Sequence, residues 1–514
     1  MTPAGAQRRL QAAVAGLSTA LFLLTAPGRI PFPDDEIVFQ TTQSLYERGS
    51  LAIPGIARRS GEMAGQAKGT FGWSEGADGQ RYGFFGHGLS LVALPAYALA
   101  KLTFPLAPPT WRYAVRSDHL AFHDRDPFAD WARLVVSLTN AAITGVTAGV
   151  LVAWLVTLGF GLRAATLTAL GYALGTAAWP YTRTFLSEPL SALCLLLCAL
   201  GIARYHRGRR RADGRGVGWL WAAGAIAGFA AHVHVLNLSA IPCLLVYALW
   251  PLWREGGGAA LRRERRAWGG AALLGLVGVA ALGLSHYLRF GSAFETGRFG
   301  IYSWLVPPWT GLAALAVAPG RSLFLYAPAV TLGLAGIPAL RRRLPVVAAF
   351  AAAMILVRAA TISLRSDWFG GWALGPRHLV PVLPFAIVPL AALWERALRA
   401  GRGARLALGG LELAAVGLCL YLSLYSILEF MILLSRDPAV RAFGSVSDAS
   451  HWWPSASPIV GYRAMKVDVL SVGAWRLAER GHWGLAVIFA CVAAVAIAAA
   501  VILVRTLRRA PGVR

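Results

Sequence analysis

The chain has 514 residues, of which 57% are apolar, and its formal net charge is +25. Soluble proteins average about 45–50% apolar residues. Apolar runs long enough to cross a bilayer recur along the whole chain, so a soluble globular protein is excluded and a polytopic helical membrane protein is predicted. The alternating patterns of a membrane β-barrel are absent from the sequence. The excess charge is almost entirely arginine, in short clusters between apolar runs, which favours inner-face loops over nucleic-acid binding.

Placing the arginine clusters on the inner face assigns four connecting segments to the outer face: 28–83, 289–320, 364–376 and 436–482. Both chain ends then lie inside, which requires an even number of crossings, whereas the candidate runs number thirteen. One resolution is a broken or re-entrant helix in the glycine- and proline-containing run 84–106. The candidate runs are 10–27, 84–106, 133–158, 164–180, 184–203, 217–232, 236–252, 268–288, 322–340, 345–363, 377–395, 406–435 and 483–504.

Three consecutive acids, Asp34, Asp35 and Glu36, follow the first apolar run where a membrane helix would emerge into water. One interpretation is an acidic first turn that stabilises a helix through its dipole. However, three acids exceed what capping requires. Packed together they should raise one another's pKa, which suits a general base or a cation site.

Several other polar side chains lie at predicted outer helix ends. Arg183 is close enough to Glu188 to pair with it, as a structural ion pair or as a substrate contact. His232 and His234 are expected to be structural, because the sequence offers no third metal ligand. Arginines gathered at one level can bind phosphate through bidentate bonds, although each alone is more often an interfacial anchor. The remaining candidates are Tyr82, His87, Glu295, Arg321, Asp367, Arg377 and His378.

Four stretches together resemble a GT-C superfamily membrane glycosyltransferase, of the broad kind related to protein mannosyltransferases and lipid A aminoarabinose transferases. They cover about 65 residues and keep their order along the chain. They are "PDDEIVFQTTQSLYERGSLAI" (33–53), "YGFFGHGLSLVALPAYAL" (82–99), "PGRSLFLYAP" (319–328) and "GGWALGPRHLVPVLPF" (370–385). The "His/Lys-Pro-Pro" element of the mannosyltransferases is not matched, which argues against a close protein O-mannosyltransferase.

The resemblance implies a GT-C-like bundle of about 12–14 transmembrane helices with a long first extracytoplasmic loop. It also implies inverting transfer of a sugar from a polyprenyl-phosphate carrier at the outer face. Asp35 matches the family's first-loop acid, with Glu36 beside it, whereas Asp34 departs from the Gly or Ser more usual there. The domain prediction is a transmembrane catalytic core over 1–435, including the loop 28–83, followed by a last loop and C-terminal helix over 436–514.

We therefore predict a glycosyltransferase of the bacterial inner membrane, multi-pass, with its active site on the extracytoplasmic face. Asp35 is the predicted base, supported by Asp34 and Glu36. No cofactor is required, and a divalent metal at these three acids stays open because only some relatives use one. Donor binding is assigned to Arg377, Arg321, Arg183, Tyr82, His87 and His378, and acceptor or structural roles to Glu188, Glu295, His234 and Asp367.

The expected partners are a polyprenyl-phosphate sugar, a glycan, lipid or protein acceptor, and membrane lipids, with no nucleic acid. The alternatives are a transporter or flippase for a lipid-linked or anionic solute, and a non-catalytic assembly subunit. A transporter should carry charges near the bilayer midplane and repeated broken helices. The polar residues here lie near one face instead, which favours the enzyme. The mechanism requires that Asp35 and at least one of Arg183, Arg321 and Arg377 line one outward cavity.

Overall fold

The fold is almost entirely helical in the computed structural model, which describes residues 2–30, 32–54, 72–110, 126–211, 216–298, 305–465, 467 and 471–509. The longer helices are Pro3–Thr25, Pro33–Arg48, Leu94–Thr103, Pro127–Ser137, Thr139–Thr157, Leu162–Leu174, Glu188–Arg211, Val217–Val233, Ile241–Arg254, Arg265–Phe290, Trp309–Val317, Pro345–Ser363, Val388–Ala400, Arg402–Leu424, Ile427–Arg436 and Trp483–Arg509. The shorter ones are Gly88–Val92, Ala178–Tyr181, Gly258–Arg263, Leu323–Tyr326, Pro328–Gly333, Ile337–Arg343, Leu383–Ala386, Pro438–Phe443, Val446–Trp452, Pro458–Ala464 and Gly473–Glu479.

Short 3₁₀ segments and one hairpin complete the described structure. The 3₁₀ segments are Val235–Ala240, Leu334–Gly336, Arg377–Val382 and Pro454–Ala456. The antiparallel strands Trp73–Glu75 and Arg81–Gly83 pair Ser74 with Tyr82. This hairpin lies within the predicted first outer loop and was not foreseen from the sequence.

Eight segments of the described chain are long and apolar enough to cross a membrane, and they confirm the prediction of an all-α polytopic membrane protein. Other predicted runs form shorter helices. The run 84–106 is broken at Ala93, as its glycines and prolines suggested, and 322–340 is divided into several short helical pieces. The eight segments are Pro127–Thr157, Glu188–Arg210, Val235–Arg254, Arg265–Phe290, Pro345–Ser363, Arg377–Ala400, Arg402–Leu424 and Trp483–Arg509.

The helix Pro33–Arg48, here called the acidic helix, has clear start and stop signals. Pro33 stands at the first helical position, where its fixed φ is favourable and its missing N–H costs nothing. The three acids occupy the first turn, where the positive end of the helix dipole stabilises negative charge. Gly49, with φ of 63°, ends the helix in the left-handed conformation that glycine adopts most readily.

Connecting segments meet at the end of the bundle where the acidic helix begins. The N–H of Gly473 donates to the Ala26 carbonyl at 2.7 Å, and the N–H of Gly320 donates to the His451 carbonyl at 3.0 Å. The N–H of Ser471 donates to the Leu424 carbonyl at 2.8 Å. These bonds bring two of the predicted outer segments, 289–320 and 436–482, together with the ends of two apolar runs, so residues far apart in sequence converge on one site.

Candidate active site

A buried cluster of Asp34, Glu188 and Arg377, here called the carboxylate–arginine cluster, lies at the start of the acidic helix. The Nε of Arg377 donates to Oε1 of Glu188 at 2.6 Å, and its Nη1 donates to Oδ2 of Asp34 at 2.9 Å. Nη1 also approaches the Gly370 carbonyl at 3.3 Å. The guanidinium therefore joins three segments of the chain: the acidic helix, the helix Glu188–Arg211 and the loop that precedes residue 377. Charge-assisted bonds of this kind fix geometry as well as charge.

Asp35 lies directly beside this cluster and is 0% exposed. Burial raises the pKa of its carboxyl well above the usual value. The backbone amide of Phe185 lowers it and the neighbouring charge of Asp34 raises it further. Neither carboxyl oxygen makes a hydrogen bond of ordinary geometry within the described part of the chain. Burial thus favours the protonated form of Asp35 and closes its carboxyl to solvent.

Replacing Asp35 by asparagine is expected to stabilise the protein at neutral pH. In the folded state the raised pKa keeps the proton on Asp35, whereas the unfolded chain releases it above its ordinary pKa of about 3.9. Stability therefore falls as the pH rises from that value towards the raised pKa, and asparagine removes this loss. The free energy of unfolding, measured between about pH 4 and 8, should be nearly the same for Asp35→Asn and the wild type at the acid end. The excess stability of Asp35→Asn should then grow as the pH rises. A pH-independent difference would contradict the assignment.

Glu36 points to a different partner from Asp34, because consecutive helical residues face different directions. Its carboxylate accepts two bonds of 2.9 Å from Arg133, and Arg133 also pairs with Asp130 at 3.2 Å. Gln40 donates to Glu36 at 3.3 Å. The sequence left a divalent metal at the three acids open; among the residues described, no three His, Cys, Asp or Glu side chains come together as metal ligands. The contacts of Glu36 are those of a buried structural ion pair.

A cavity, here called the arginine cavity, lies next to the carboxylate–arginine cluster and has a volume of about 50 Å³. Arg183 is its one charged lining residue among the described parts of the chain, and Phe32, two residues before Asp34, also lines it. Most of the wall is apolar or aromatic, which suits a molecule with a hydrocarbon part and one anionic group. The lining residues are Pro27, Phe32, Pro180, Tyr181, Arg183, Thr184, Leu186, Ala373, Leu374, Leu422, Tyr425, Ser426, Ile427, Leu428, Tyr462 and Ser471.

Arg183 is buried and bonded to backbone carbonyls, not to an acid. Its guanidinium donates to the Ser471 carbonyl and, at 3.5 Å, to the Tyr425 carbonyl, while its Nε has no partner within the described structure. Burial lowers the pKa of Arg183 to about 10, so it remains a cation at neutral pH. Backbone carbonyls satisfy N–H groups without neutralising the charge. An anion bound in the cavity would supply the negative charge that no described side chain places beside Arg183.

Arg321 lies behind the adjoining wall of the cavity in a similar state. Its guanidinium donates to the carbonyls of Ala373, of Gly375 at 3.1 Å and of Gly371 at 2.9 Å. The loop can present these carbonyls because Gly371 and Gly375 have φ of 71° and 58°, in the left-handed region that glycine tolerates. Burial lowers the pKa of Arg321 to about 10. No described carboxylate forms an ion pair with it.

Tyr181 connects the arginine cavity with the carboxylate–arginine cluster. It lines the cavity, and its hydroxyl donates to the Leu374 carbonyl at 2.8 Å. Burial raises the pKa of Tyr181, and the positive charges of Arg377 and Arg321 oppose that rise, so both guanidiniums lie near the ring. The structure therefore brings the three predicted arginines into one region. Asp35 does not line the cavity, and the residue that does so nearest to it in sequence is Phe32, the N-terminal cap of the acidic helix.

A second layer of polar groups supports the segment that carries Arg377. The Nε of Arg358 donates to the His378 carbonyl at 3.0 Å, and its Nη1 donates to Asn237 at 3.4 Å. The buried ring of His378 lies 6.4 Å from that of His234, and neither of its nitrogens has a partner within the described residues. The sequence analysis did not single out Arg358. A lone cation inside the apolar run 345–363 was the available signal.

Other predicted residues are held elsewhere by local partners. The Tyr82 hydroxyl donates to Asp78 at 2.6 Å, and His87 lies 2.9 Å from His232, nitrogen to nitrogen. Burial lowers the pKa of His87 to about 3, so it is neutral. The carboxylate of Glu295 accepts a bond from the Gly297 N–H at 2.7 Å. Asp367 pairs with the buried Arg365 at 2.7 Å.

Two further residues of the site had no usable sequence signal. Tyr462 lines the arginine cavity and its buried hydroxyl has no described partner. Ser471 contributes only its backbone carbonyl to Arg183. Both lie in the predicted last outer loop, and only tertiary packing brings that loop against residues 180–186. Arg133 was likewise missed, since its pairing with Glu36 joins residues 97 positions apart.

A separate apolar crevice lies between the helices Ile241–Arg254 and Pro345–Ser363 and has a volume of about 530 Å³. Its only charged lining residue among those described is Arg254. The crevice shares no lining residue with the arginine cavity. The crevice can therefore serve as a control site when binding of an apolar ligand to the arginine cavity is measured.

No family model matches the chain, and no curated protein does either. The structure is similar to the crystal structure of ArnT from Cupriavidus metallidurans bound to undecaprenyl phosphate, at 15% identity and a TM-score of 0.44, covering 97% of this chain and 77% of that chain. It is also similar to the crystal structure of the same protein in the apo state, at 16% identity and a TM-score of 0.46, covering 89% and 76%. ArnT is a GT-C aminoarabinose transferase, a class that the sequence motifs resemble. Similarity at this level carries no argument about the chemistry of this chain's own site.

Proposed function

We propose that the protein is a membrane glycosyltransferase of GT-C type that moves a sugar from a polyprenyl-phosphate carrier to an extracytoplasmic acceptor, with inversion at the sugar carbon. The observation that carries this proposal is the arginine cavity: one buried guanidinium without a carboxylate partner, in an otherwise largely apolar wall, beside a pair of acids. A polyprenyl phosphate combines the two properties this cavity selects for, an anionic head and a hydrocarbon chain.

The donor phosphate is placed against Arg183, with Arg321 as the second cation. Both keep their positive charge at neutral pH, and both have an unpartnered Nε among the described contacts. The phosphate gains negative charge as the sugar leaves, and fixed cations stabilise that charge in a site that excludes water. The isoprenoid chain lies along the apolar wall formed by Leu422, Ile427 and Leu428.

The acceptor hydroxyl is placed against Asp34. A general base must touch the proton it removes, and the side chain of Asp34 is 19% exposed while that of Asp35 is fully buried. We therefore assign the base to Asp34 and keep Asp35 as the protonated neighbour behind it. This assignment departs from the sequence-based choice of Asp35, which did not anticipate that Asp34 stays partly exposed while Asp35 is fully buried.

In the reaction, the acceptor oxygen forms a bond to the anomeric carbon while the bond from that carbon to the phosphate oxygen breaks. The bonding pair leaves with the polyprenyl phosphate, and the acceptor proton passes to the Asp34 carboxylate. Attack opposite to the leaving phosphate inverts the carbon. Arg377 holds Asp34 at 2.9 Å and is anchored in turn by Glu188 at 2.6 Å, so the base is oriented before the substrate arrives.

No cofactor enters this mechanism, and the three acids do not converge as ligands. The acceptor class, whether glycan, lipid or protein, is left open. The location follows from the same proposal: a multi-pass protein of a bacterial inner membrane whose site faces the extracytoplasmic side. That side is where the sequence places the segments that line the cavity.

The proposal is tested by incubating purified protein with polyprenyl-phosphate sugars and candidate acceptors. Free polyprenyl phosphate should be released and detected by mass spectrometry, and the new glycosidic bond should have the opposite anomeric configuration by NMR. The same protein in sealed vesicles provides the counter-test. Movement of intact lipid-linked sugar across the bilayer without bond cleavage would identify a transporter and refute the proposal.

A further inference from the structure

Arg29 is a buried cation that the protein does not pair. It lies in the turn between the first helix and the acidic helix and is 6% exposed. Its Nε and Nη1 have no hydrogen-bond partner, and no ion pair to it forms among the described residues. Burying a guanidinium without a partner carries a large desolvation cost. A ligand anion is the partner that would offset that cost.

The charges around Arg29 are mostly of its own sign. Burial lowers the pKa of Arg29 to about 9, and the charge of Arg476 lowers it further. Glu429 acts in the opposite direction, while Arg183 and Arg480 add to the lowering. Three of these four neighbouring charges thus have the same sign as Arg29.

The helix Gly473–Glu479 is seated directly on the turn that carries Arg29. The N–H of Gly473 donates to the Ala26 carbonyl at 2.7 Å, and a Cβ added at residue 473 would lie 3.1 Å from that oxygen. This close approach places the start of the helix that carries Arg476 against the turn that carries Arg29. On the outer side of the same helix Trp475 is 52% exposed, as expected for an aromatic side chain at the membrane–water interface.

Arg29 also adjoins the arginine cavity. Pro27 and Phe32, on either side of it in the chain, line that cavity, as does Arg183. Exposure falls along the series from the exposed Arg480 through the half-buried Arg476 to the buried Arg29 and Arg183. The four guanidiniums therefore form a series from the surface of an interfacial helix to the cavity wall.

We propose that Arg29 is an intermediate binding site for the phosphate of an isoprenoid lipid, passing the anionic head from the membrane interface to the cavity. The identity of the lipid rests on the proposed function. The existence of an anion site at Arg29 rests on its own burial, its nitrogens without a described partner, and its position between the interfacial helix Gly473–Glu479 and the cavity that Arg183 lines.

The test uses full-length protein in neutral phosphatidylcholine nanodiscs, with undecaprenyl phosphate as the probe. Arg29→Gln should slow association of the probe about tenfold and weaken the dependence of that rate on salt, because a steering charge is lost. Arg29→Lys should recover part of the rate, since it keeps the charge but not the bidentate fork. Arg254→Gln, which removes an exposed arginine beside the separate crevice, should leave the rate unchanged.

Stability separates a ligand site from a structural arginine. Without ligand, Arg29→Gln should melt at the same temperature as the wild type or higher, because no described bond is lost. Undecaprenyl phosphate should raise the melting temperature of the wild type and raise that of Arg29→Gln less. Destabilisation of unliganded Arg29→Gln, with an unchanged association rate, would overturn the proposal and make Arg29 structural.

Two other probes identify the ligand. Inorganic phosphate or phosphatidylglycerol at the same concentration should give a much smaller Arg29-dependent shift than undecaprenyl phosphate. An equal shift with inorganic phosphate would reveal a general phosphate site, and an equal shift with phosphatidylglycerol a structural lipid site, and either would overturn the assignment. These binding measurements need no sugar transfer, so they can succeed or fail whatever the outcome of the glycosyltransferase assay.

Discussion

Replacement of Arg377 by methionine is expected to abolish activity and to lower the free energy of unfolding by about 3–5 kcal/mol. The guanidinium pairs with Glu188 at 2.6 Å and Asp34 at 2.9 Å, and it is only 12% exposed. Its loss leaves a buried Glu188 without its charge partner and releases the proposed base from its position. Chemical denaturation and a sugar-transfer assay on the same preparation would measure both effects.

A double variant separates the two consequences of this substitution. Arg377→Met combined with Glu188→Met removes both buried charges, so most of the lost stability should return, as it does when buried ion pairs become apolar contacts. Activity should remain lost, because Asp34 still lacks its anchor. Arg377→Lys keeps a positive charge but cannot hold Glu188 and Asp34 in the same geometry. Its activity and its free energy of unfolding should therefore lie between those of the wild type and Arg377→Met. Recovery of activity in the double variant would contradict the role given to Arg377.

Asp34→Asn is expected to reduce the transfer rate by about 10²–10⁴, the range that a general base contributes. Folding should be little affected, since Arg377 keeps its bond to Glu188. The effect should appear in kcat, with the affinity for polyprenyl phosphate nearly unchanged, because Asp34 contacts the acceptor and not the donor phosphate. Single-turnover kinetics with saturating donor would measure the chemical step directly.

The neighbouring acids provide matched controls. Asp35→Asn should retain much more activity than Asp34→Asn, because asparagine replaces a buried carboxyl that is already neutral. Glu36→Gln should lose stability through its bond to Arg133 while keeping activity in proportion to folded protein. A greater loss of rate in Asp35→Asn than in Asp34→Asn would return the base to the sequence-based choice.

The membrane fold was predictable because long apolar runs and arginine clusters are local signals. The same composition did not reveal every helix break: 322–340 is apolar enough to be a candidate run, yet its glycines and prolines divide it into short pieces. The break within 84–106 was anticipated from the same residue types. The sequence did not indicate which apolar runs are buried inside the helix bundle and which lie at its periphery.

The site was partly predictable for a related reason. Asp34, Glu188 and Arg377 are charges next to apolar runs, and such charges are costly unless they are paired. Which acid pairs with which arginine depends on helix phase and on contacts 189 and 343 positions apart in sequence. Sequence neighbours suggested a pair between Arg183 and Glu188, whereas Arg183 bonds to carbonyls and Glu188 to Arg377. Tyr462 and Arg29 became visible only through packing.

The most direct test of the central claim is photo-crosslinking with a polyprenyl phosphate that carries a benzophenone near its phosphate end. Crosslinks are expected at Leu422, Ile427 and Leu428 in the arginine cavity, competed by unlabelled polyprenyl phosphate and strongly reduced in Arg183→Gln. Crosslinks confined to the separate crevice, at Val246 or Ala353, with no dependence on Arg183, would contradict it.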